Sequence, residues 1–265
     1  MSAASVDELM AVTASRMLVD DDLVFVGVGT AGRAFSLAVG IPLVACRLAQ
    51  LRQAPGLDVY WGNLLNPDLS SVPATLTQGT ITSWRGAYAP ADIGNKVDML
   101  VRGEFDVSFE SAAQIDRRGN LNITRIGTGD TPAVRLVGCL AQPEHLAFVR
   151  RPVVLMDLSS RSFVENVDFV SSRGHGDGPN SRKALGYRTA GPRAVVTDRC
   201  VFDFTPDGRL RLRSLHPGQT AADVLDRMGF EPAVDADLTE TPAPDPAELE
   251  AIRDVIDPQR ALLRA

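Results

Sequence analysis

Cysteine is scarce in this 265-residue chain, and its placement argues against two kinds of structural stabilisation. Cys46, Cys139 and Cys200 include no CxxC pair, so the sequence predicts neither a disulfide framework nor a zinc site. Thiols without a pairing pattern are typical of a reducing compartment. We therefore expect a cytoplasmic protein that holds no metal.

Excess positive charge and long apolar runs are also missing. The net charge is −6, whereas a nucleic-acid partner needs a basic surface to replace the counterions of its phosphates. The pairs Arg150-Arg151 and Arg182-Lys183 could still meet the phosphate groups of a ligand, although such pairs are more often simply solvated. Acids stand in the first ten residues where a signal peptide needs a basic start, and no stretch approaches membrane-spanning length. We expect neither nucleic acid nor a membrane as a partner.

The remaining composition is that of an ordinary folded protein, with 45% hydrophobic and 23% charged residues. Short apolar runs predict buried strands at 23–26, 57–60, 105–109, 153–156 and 194–196. Helical spacing predicts helices at 5–18, 41–53, 221–228 and 246–256, and a Pro-Asp-Gly turn joins a hairpin of 201–204 and 209–215.

This alternation predicts an α/β fold with a mainly parallel open sheet and flanking helices. Residues 1–231 are expected to form one domain. Residues 232–246, rich in Pro, Asp and Thr, are predicted to be an extended connector, so that 232–265 would pack a final helix on the same domain. Ligand sites in such folds lie at the carboxyl ends of the strands.

Residues Gly27–Gly32 spell GxGxxG directly after the first predicted strand, as in a dinucleotide-binding turn. The surroundings fit that function poorly. The following helix is predicted to be interrupted at Gly40–Pro42, and Asp58 stands near the beginning of the second strand, not at its end. We therefore favour a tight strand-to-helix turn, either without a ligand or lining a different one.

The segment 112–122, Ala-Ala-Gln-Ile-Asp-Arg-Arg-Gly-Asn-Leu-Asn, is the most distinctive in the sequence. By itself it predicts a strand and a β-turn with Gly119 at positive φ. It also resembles the signature of β-type subunits of family I CoA-transferases, glutaconate CoA-transferase in particular. Further segments resemble that family in the same order, at 26–29, 40–45, 168–172, 176–179, 195–198, 223–225, 229–230 and 252–258.

The resemblance implies a subunit that acts on an acyl-CoA thioester together with an α-type partner. In that family a glutamate after the second strand attacks the thioester and forms an anhydride. Trp61 occupies the matching position, and indole cannot form an anhydride, so no catalytic residue is assigned in this chain. The family's glycine-rich GSGGA-like loop corresponds to 137–142, where only the first glycine remains. The resemblance implies substrate contacts at Trp61, Gly62, Asn63, Gln114, Asn120, Gly138 and Cys139.

Other groups that could perform acid–base chemistry are sparse. Glu104 and Glu110 are the carboxylates nearest the family loops, and we expect both on solvated turns. His145, His175 and His216 are scattered along the sequence, which indicates no shared catalytic role.

The chain also resembles the smaller subunit of ring-opening hydrolases of steroid degradation, in Ser214–Gly218 and in Asp257-Pro258. Those enzymes lack the β-type glutamate, which implies that the α-type partner supplies a glutamate as base. Trp61 would then be a flat wall for a fused-ring acyl group. We expect hydrolytic carbon–carbon cleavage, with coenzyme A as part of the substrate and no separate cofactor. The alternatives are a true CoA-transferase with a displaced nucleophile, and a non-catalytic CoA-binding partner subunit.

Overall fold

Strands and short helices alternate along the chain in a computed structural model, which describes residues 3–62, 64–69, 87–88, 93–178 and 180–263. Asn63 and Pro179 lie outside the described residues. The helices are α1 Val6–Ser15, α2 Gly32–Arg52, α3 Ile93–Arg102, α4 Gln142–Phe148, α5 Ser181–Ala184, α6 Ala221–Leu225 and α7 Pro246–Glu250, which continues as a π-helix over Ala251–Ile256. The strands are β1 Leu23–Val26, β2 Asp58–Trp61, β3 Leu64–Leu65, β4 Ala87–Tyr88, β5 Val107–Glu110, β6 Gln114–Ile115, β7 Leu121–Asn122, β8 Arg125–Ile126, β9 Val134–Arg135, β10 Arg151–Met156, β11 Ala194–Thr197, β12 Cys200–Phe204, β13 Leu210–Leu215 and β14 Ala233–Glu240.

Two compact units divide the described chain, where the sequence suggested one domain up to residue 231. The first unit contains the described residues up to Met99, residues 104–109, and the chain from Pro242 onward. The second contains residues 100–103 and the described residues between Glu110 and Thr241. The predicted boundary at 231/232 therefore falls inside the second unit and coincides with no boundary between the two units.

The first unit is built on a parallel core of strands. β1 lies between β2 and β5 and is parallel to both, so that Val26 is paired with Trp61 on one side and with Phe109 on the other. β3 and β4 extend this sheet in antiparallel fashion. Because parallel strands share a direction, β1, β2 and β5 end at one edge of the sheet, where such folds carry their ligand sites.

Helix α2 corrects two expectations from the sequence. It runs without a break through Gly40 and Pro42, because Ser36–Gly40 forms a π-helical segment that accommodates the proline's missing N–H. Its 21 residues are also long and apolar enough to cross a membrane, contrary to the expectation that no stretch would be. Most of the helix is buried inside the protein, as expected for a core helix.

Arginine–carboxylate pairs attach α7 to α1 within the first unit. Arg253 binds both carboxylate oxygens of Glu8, at 2.6 and 2.7 Å, and Arg16 binds Glu248 in the same way at 3.3 and 2.7 Å. Burial opposes the charge on Glu8, but the hydrogen bonds from Arg253 and Ser5 outweigh it and lower the pKa of Glu8. These bidentate pairs explain why the end of the chain belongs to the unit formed by its beginning.

The second unit contains a mixed sheet with its own core. β10 and β11 are parallel, β11, β12 and β13 are antiparallel neighbours, and β13 pairs with β14 in parallel. The β12–β13 hairpin confirms the predicted one. Fully buried rings of Phe163 and Phe202, 5.5 Å apart, lie in the core of this unit. Together the two units confirm the α/β fold with a largely parallel open sheet.

The predicted connector at 232–246 is wrong over most of its length, because Ala233–Glu240 forms β14. Its Pro, Asp and Thr content suggested a loop, but one of its acids, Asp235, faces arginines on β13. Asp235 accepts a hydrogen bond from Arg213 at 2.9 Å and lies 3.5 Å from Arg211. Pairing across strands thus compensates the low strand propensity of aspartate.

Gly40→Ala should destabilise the first unit, because a Cβ at this position would overlap the backbone carbonyl of Leu262, which cannot move cheaply. We expect a loss of about 1–3 kcal/mol in the free energy of unfolding, measured by urea denaturation. Gly129→Ala is the matched control, since a Cβ there meets nothing within 4 Å and should change stability by less than about 0.5 kcal/mol. Equal stability of the two variants would show that α2 does not depend on this contact.

Candidate functional site

Trp61 is the last residue of β2, and the protein itself encloses its ring. Only 3% of the residue is exposed, and the indole Nε1–H donates to the carbonyl oxygen of Gly27 at 2.9 Å. Gly27 follows β1, so this bond joins the ends of two neighbouring parallel strands. Gly62 turns the chain away with φ +61°. The end of β2 thus carries a buried hydrogen-bond donor.

The burial of Trp61 also bears on its predicted role as a wall for the acyl group. Within this chain its ring contacts protein on nearly all sides, so little of its face is presented to a ligand. Tyr60, on the opposite face of β2, packs against Phe25 and Phe105 with ring centroids 6.1 and 5.7 Å away. Buried aromatic side chains on both faces, Trp61 and Tyr60, therefore fix the end of this strand.

Close packing accounts for Gly29 in the GxGxxG turn. A Cβ at Gly29 would lie 2.8 Å from the Cα of Phe35, so the turn and α2 approach too closely for any side chain. Gly32 begins α2 with φ +57°. This geometry is that of a tight strand-to-helix turn.

The distinctive segment 112–122 forms the β6–β7 hairpin in the second unit, with Gly119 at φ +74° as the turn pattern predicts. Asp116 accepts hydrogen bonds from the backbone of Arg118 and from the backbone and side chain of Asn120, at 2.8 to 3.1 Å. Burial raises the pKa of Asp116, although these hydrogen bonds act against the rise. The turn is therefore held by a buried carboxylate.

Gln114 and Asn120, both predicted to contact substrate, are brought together in this hairpin and bind protein groups. The Gln114 Oε1 accepts from the side chain of Asn122 at 2.8 Å and from the backbone of Asp168 at 3.0 Å. Asn120 Oδ1 accepts from the backbone of Gly174 at 2.9 Å. The observed bonds assign both side chains to the attachment of the hairpin to residues 168–174.

Gly138 and Cys139 lie in a loop, residues 137–141, that precedes α4. Gly138 has φ +91° and donates its N–H to the carbonyl oxygen of Ile123 at 2.9 Å. Ala141 has φ +61°, a left-handed conformation that residues with a side chain rarely adopt. Val137 and Leu140 are 74% and 72% exposed. The loop thus has positive φ at both Gly138 and Ala141, backbone geometry that is typical of glycine.

Glu110 does not lie on a solvated turn, which corrects the expectation from the sequence. It ends β5, is 5% exposed, and its Oε1 lies 2.7 Å from Nδ1 of His145, which is 4% exposed. Glu104 is exposed, as expected. Sequence reasoning missed the pair because its members are 35 residues apart. The position of Glu110 at the end of a predicted strand was the one signal that could have indicated it.

The other two histidines form hydrogen bonds to backbone carbonyls within the second unit. His175 Nε2 lies 3.0 Å from the carbonyl oxygen of Pro192, and His216 Nε2 lies 2.8 Å from that of Thr197. Burial lowers the pKa of both imidazoles. Among the described residues, no cluster of three or more His, Cys, Asp and Glu is placed to hold a metal ion.

Comparison with known proteins places this geometry in a family. The sequence matches the Coenzyme A transferase family over residues 82–227. It is 33% identical to the B-type subunit of the 3-oxoadipate CoA-transferase of Pseudomonas knackmussii, over 96% of this chain and 94% of the relative. It is also 33% identical to the IpdB subunit of the cholesterol ring-cleaving hydrolase of Rhodococcus jostii, over 83% of both chains.

Solved structures agree with the sequence comparison. Glutaconate coenzyme A-transferase of Acidaminococcus fermentans superposes with a TM-score of 0.83 at 26% identity, covering 99% of this chain and 98% of the other. IpdAB of Rhodococcus jostii superposes with a TM-score of 0.77 at 27% identity and 98% coverage of both. This chain belongs to the coenzyme A transferase family, as a B-type subunit of a CoA-transferase-like enzyme.

Proposed function

We propose that this chain works with an α-type partner to open a ring in an acyl-CoA thioester by hydrolytic carbon–carbon cleavage, and that the partner supplies the catalytic glutamate. The observation that carries the proposal is the state of Trp61. A nucleophile in this position would need a free pair of electrons directed at the thioester. The indole has none to offer, and its N–H is already bonded to Gly27.

Hydrolytic ring opening requires no covalent intermediate on this subunit. A carboxylate base on the partner removes a proton from water, and the resulting hydroxide attacks a ring ketone that is β to a second carbonyl. The carbon–carbon bond then breaks, its electron pair forms an enolate on the second carbonyl, and a proton converts that enolate to a ketone or thioester. The water oxygen remains in the new carboxylate.

This subunit would contribute binding groups to that reaction. We assign substrate contacts to the backbone of the loop that contains Gly138 and Cys139, since N–H groups in exposed loops can stabilise developing negative charge. In the described part of the chain, the N–H groups of residues 139–141 make no backbone hydrogen bond. Coenzyme A enters as part of the substrate, and no further cofactor is proposed. Three free thiols support a reducing, cytoplasmic setting.

The second candidate is a true CoA-transferase whose nucleophile has moved to another residue or subunit. The 33% identity to a 3-oxoadipate CoA-transferase subunit favours it. Against it, Glu110 is buried and bonded to His145, which leaves its carboxylate poorly placed to attack a thioester. A subunit that only completes the CoA-binding cleft is the third possibility.

Oxygen labelling separates these functions. We expect the complex co-purified with its α-type partner to incorporate one oxygen from ¹⁸O-labelled water into the product of a fused-ring acyl-CoA. No CoA should pass to an added acceptor acid, and either subunit alone should be inactive. Mass spectrometry of the products across a panel of acyl-CoA thioesters provides the measurement. CoA transfer without incorporation of labelled oxygen would instead establish the transferase.

Substitution of Trp61 tests whether the indole is a structural replacement for the nucleophile. Trp61→Glu should lower the free energy of unfolding by more than about 3 kcal/mol, because it buries an unpaired carboxylate beside the Gly27 carbonyl, and turnover should fall with it. Trp61→Phe is the control that keeps an aromatic ring, and it should lose only about 1–3 kcal/mol and retain most turnover. A stable Trp61→Glu complex that gains CoA-transfer activity would contradict the proposal.

A further inference from the structure

The first turn of α4 is fastened to the end of β5 by buried polar contacts. His145 lies 2.7 Å from Glu110, and three residues earlier, on the same side of the helix, the Gln142 side chain donates to the carbonyl oxygen of Ser111 at 3.0 Å. Ser172 in turn donates to Gln142 Oε1 at 3.0 Å. All of these side chains except that of Ser111 are at least nine-tenths buried, so water does not compete for their bonds.

These contacts fix one end of the 137–141 loop, and the Gly138–Ile123 hydrogen bond fixes the other. Between the two anchors, Cys139 and Leu140 have no backbone N–H bond within the described chain. Ala141 holds its left-handed conformation immediately beside the anchored Gln142. Strained backbone of this kind persists only where its surroundings determine it.

On the basis of the function proposed above, we propose that Glu110 and His145 are positioning residues, whose buried pair sets the backbone of the 137–141 loop that contacts substrate. The pair itself does not reach the reacting atoms. It acts through α4. Because Gln142 and His145 hold the first turn of this helix in place, the loop that precedes the helix ends at a fixed position. Loss of the pair should let the first turn of α4 shift and misplace the N–H groups of residues 139–141.

Cys139 provides a readout that is independent of turnover. It is partly exposed in the middle of the loop, whereas Cys46 and Cys200 are fully buried, so a maleimide should modify Cys139 selectively. Burial also raises the pKa of Cys200 to about 12 and raises the pKa of Cys46, which suppresses both thiolates. The rate of alkylation at Cys139, resolved by peptide mass spectrometry, therefore reports the loop's conformation.

The decisive comparison is His145→Leu with His216→Leu, in the full-length chain with and without its α-type partner. Both histidines are buried in the second unit and hydrogen-bonded, but His216 contacts Thr197 and Thr241, not α4. We expect both variants to lose similar stability. Only His145→Leu should change the alkylation rate of Cys139 several-fold, and it should lower kcat by up to about 100-fold with little change in KM, as a misplaced loop would.

Glu110→Gln keeps an oxygen that can bond to His145, so this variant should retain near-normal alkylation and turnover. The substitutions at Glu110 also test the proposal if His145→Leu fails to fold. Glu110→Met, of similar length without that oxygen, should behave like His145→Leu. The proposal is wrong if Cys139 reacts equally fast in Glu110→Met and the unmodified chain, or if His216→Leu alters it as much. Should no acyl-CoA be turned over, the proposed function would fail, while the alkylation rates would still decide the role of the pair.

Discussion

The parallel alignment of β1 between β2 and β5 is the constraint on which the functional account depends. It brings three strand ends to one edge of the sheet, so that the residues at the end of β2 lie beside those that follow β1. In this chain a hydrogen bond from the Trp61 indole to the Gly27 carbonyl joins these two strand ends. The Gly27 carbonyl oxygen is an acceptor, and an ionised glutamate in place of Trp61 would offer it only further acceptors. Replacing Trp61 with glutamate would therefore change the chemistry of this strand end together with its packing.

The second unit shows how residues of a family signature can serve the fold. Gln114 and Asn120 use their side chains to fasten the β6–β7 hairpin to residues 168–174, and Asp116 closes the turn between the strands. In the 137–141 loop, Ala141 has a left-handed conformation that residues with a side chain rarely adopt. The surroundings of the loop, rather than a glycine, therefore determine the backbone conformation at this position.

Sequence patterns predicted β1, β2, β5, β10 and β11, the β12–β13 hairpin and the β6–β7 turn, because each depends on local apolar runs, alternation or turn residues. They failed where distant contacts decide the outcome. Gly40 and Pro42 resemble a helix break, but a π-helical segment and the approach of Leu262 make them part of α2. Asp235 by itself favours a loop, but in the fold it pairs with Arg213 on the neighbouring strand β13. Glu110 resembles a solvated residue in the sequence, but in the fold it is buried against His145, which is distant in the chain.

The most direct test of the account is the covalent state of this subunit during turnover. Intact-mass spectrometry of the co-purified complex, quenched while it processes an acyl-CoA substrate, should find this chain unmodified by either the acyl group or CoA. Borohydride, which reduces a glutamyl-CoA thioester, should accordingly leave the complex active. A substrate-dependent adduct on any residue of this chain, or inactivation by borohydride that requires substrate, would contradict the account and establish covalent catalysis by the B-type subunit.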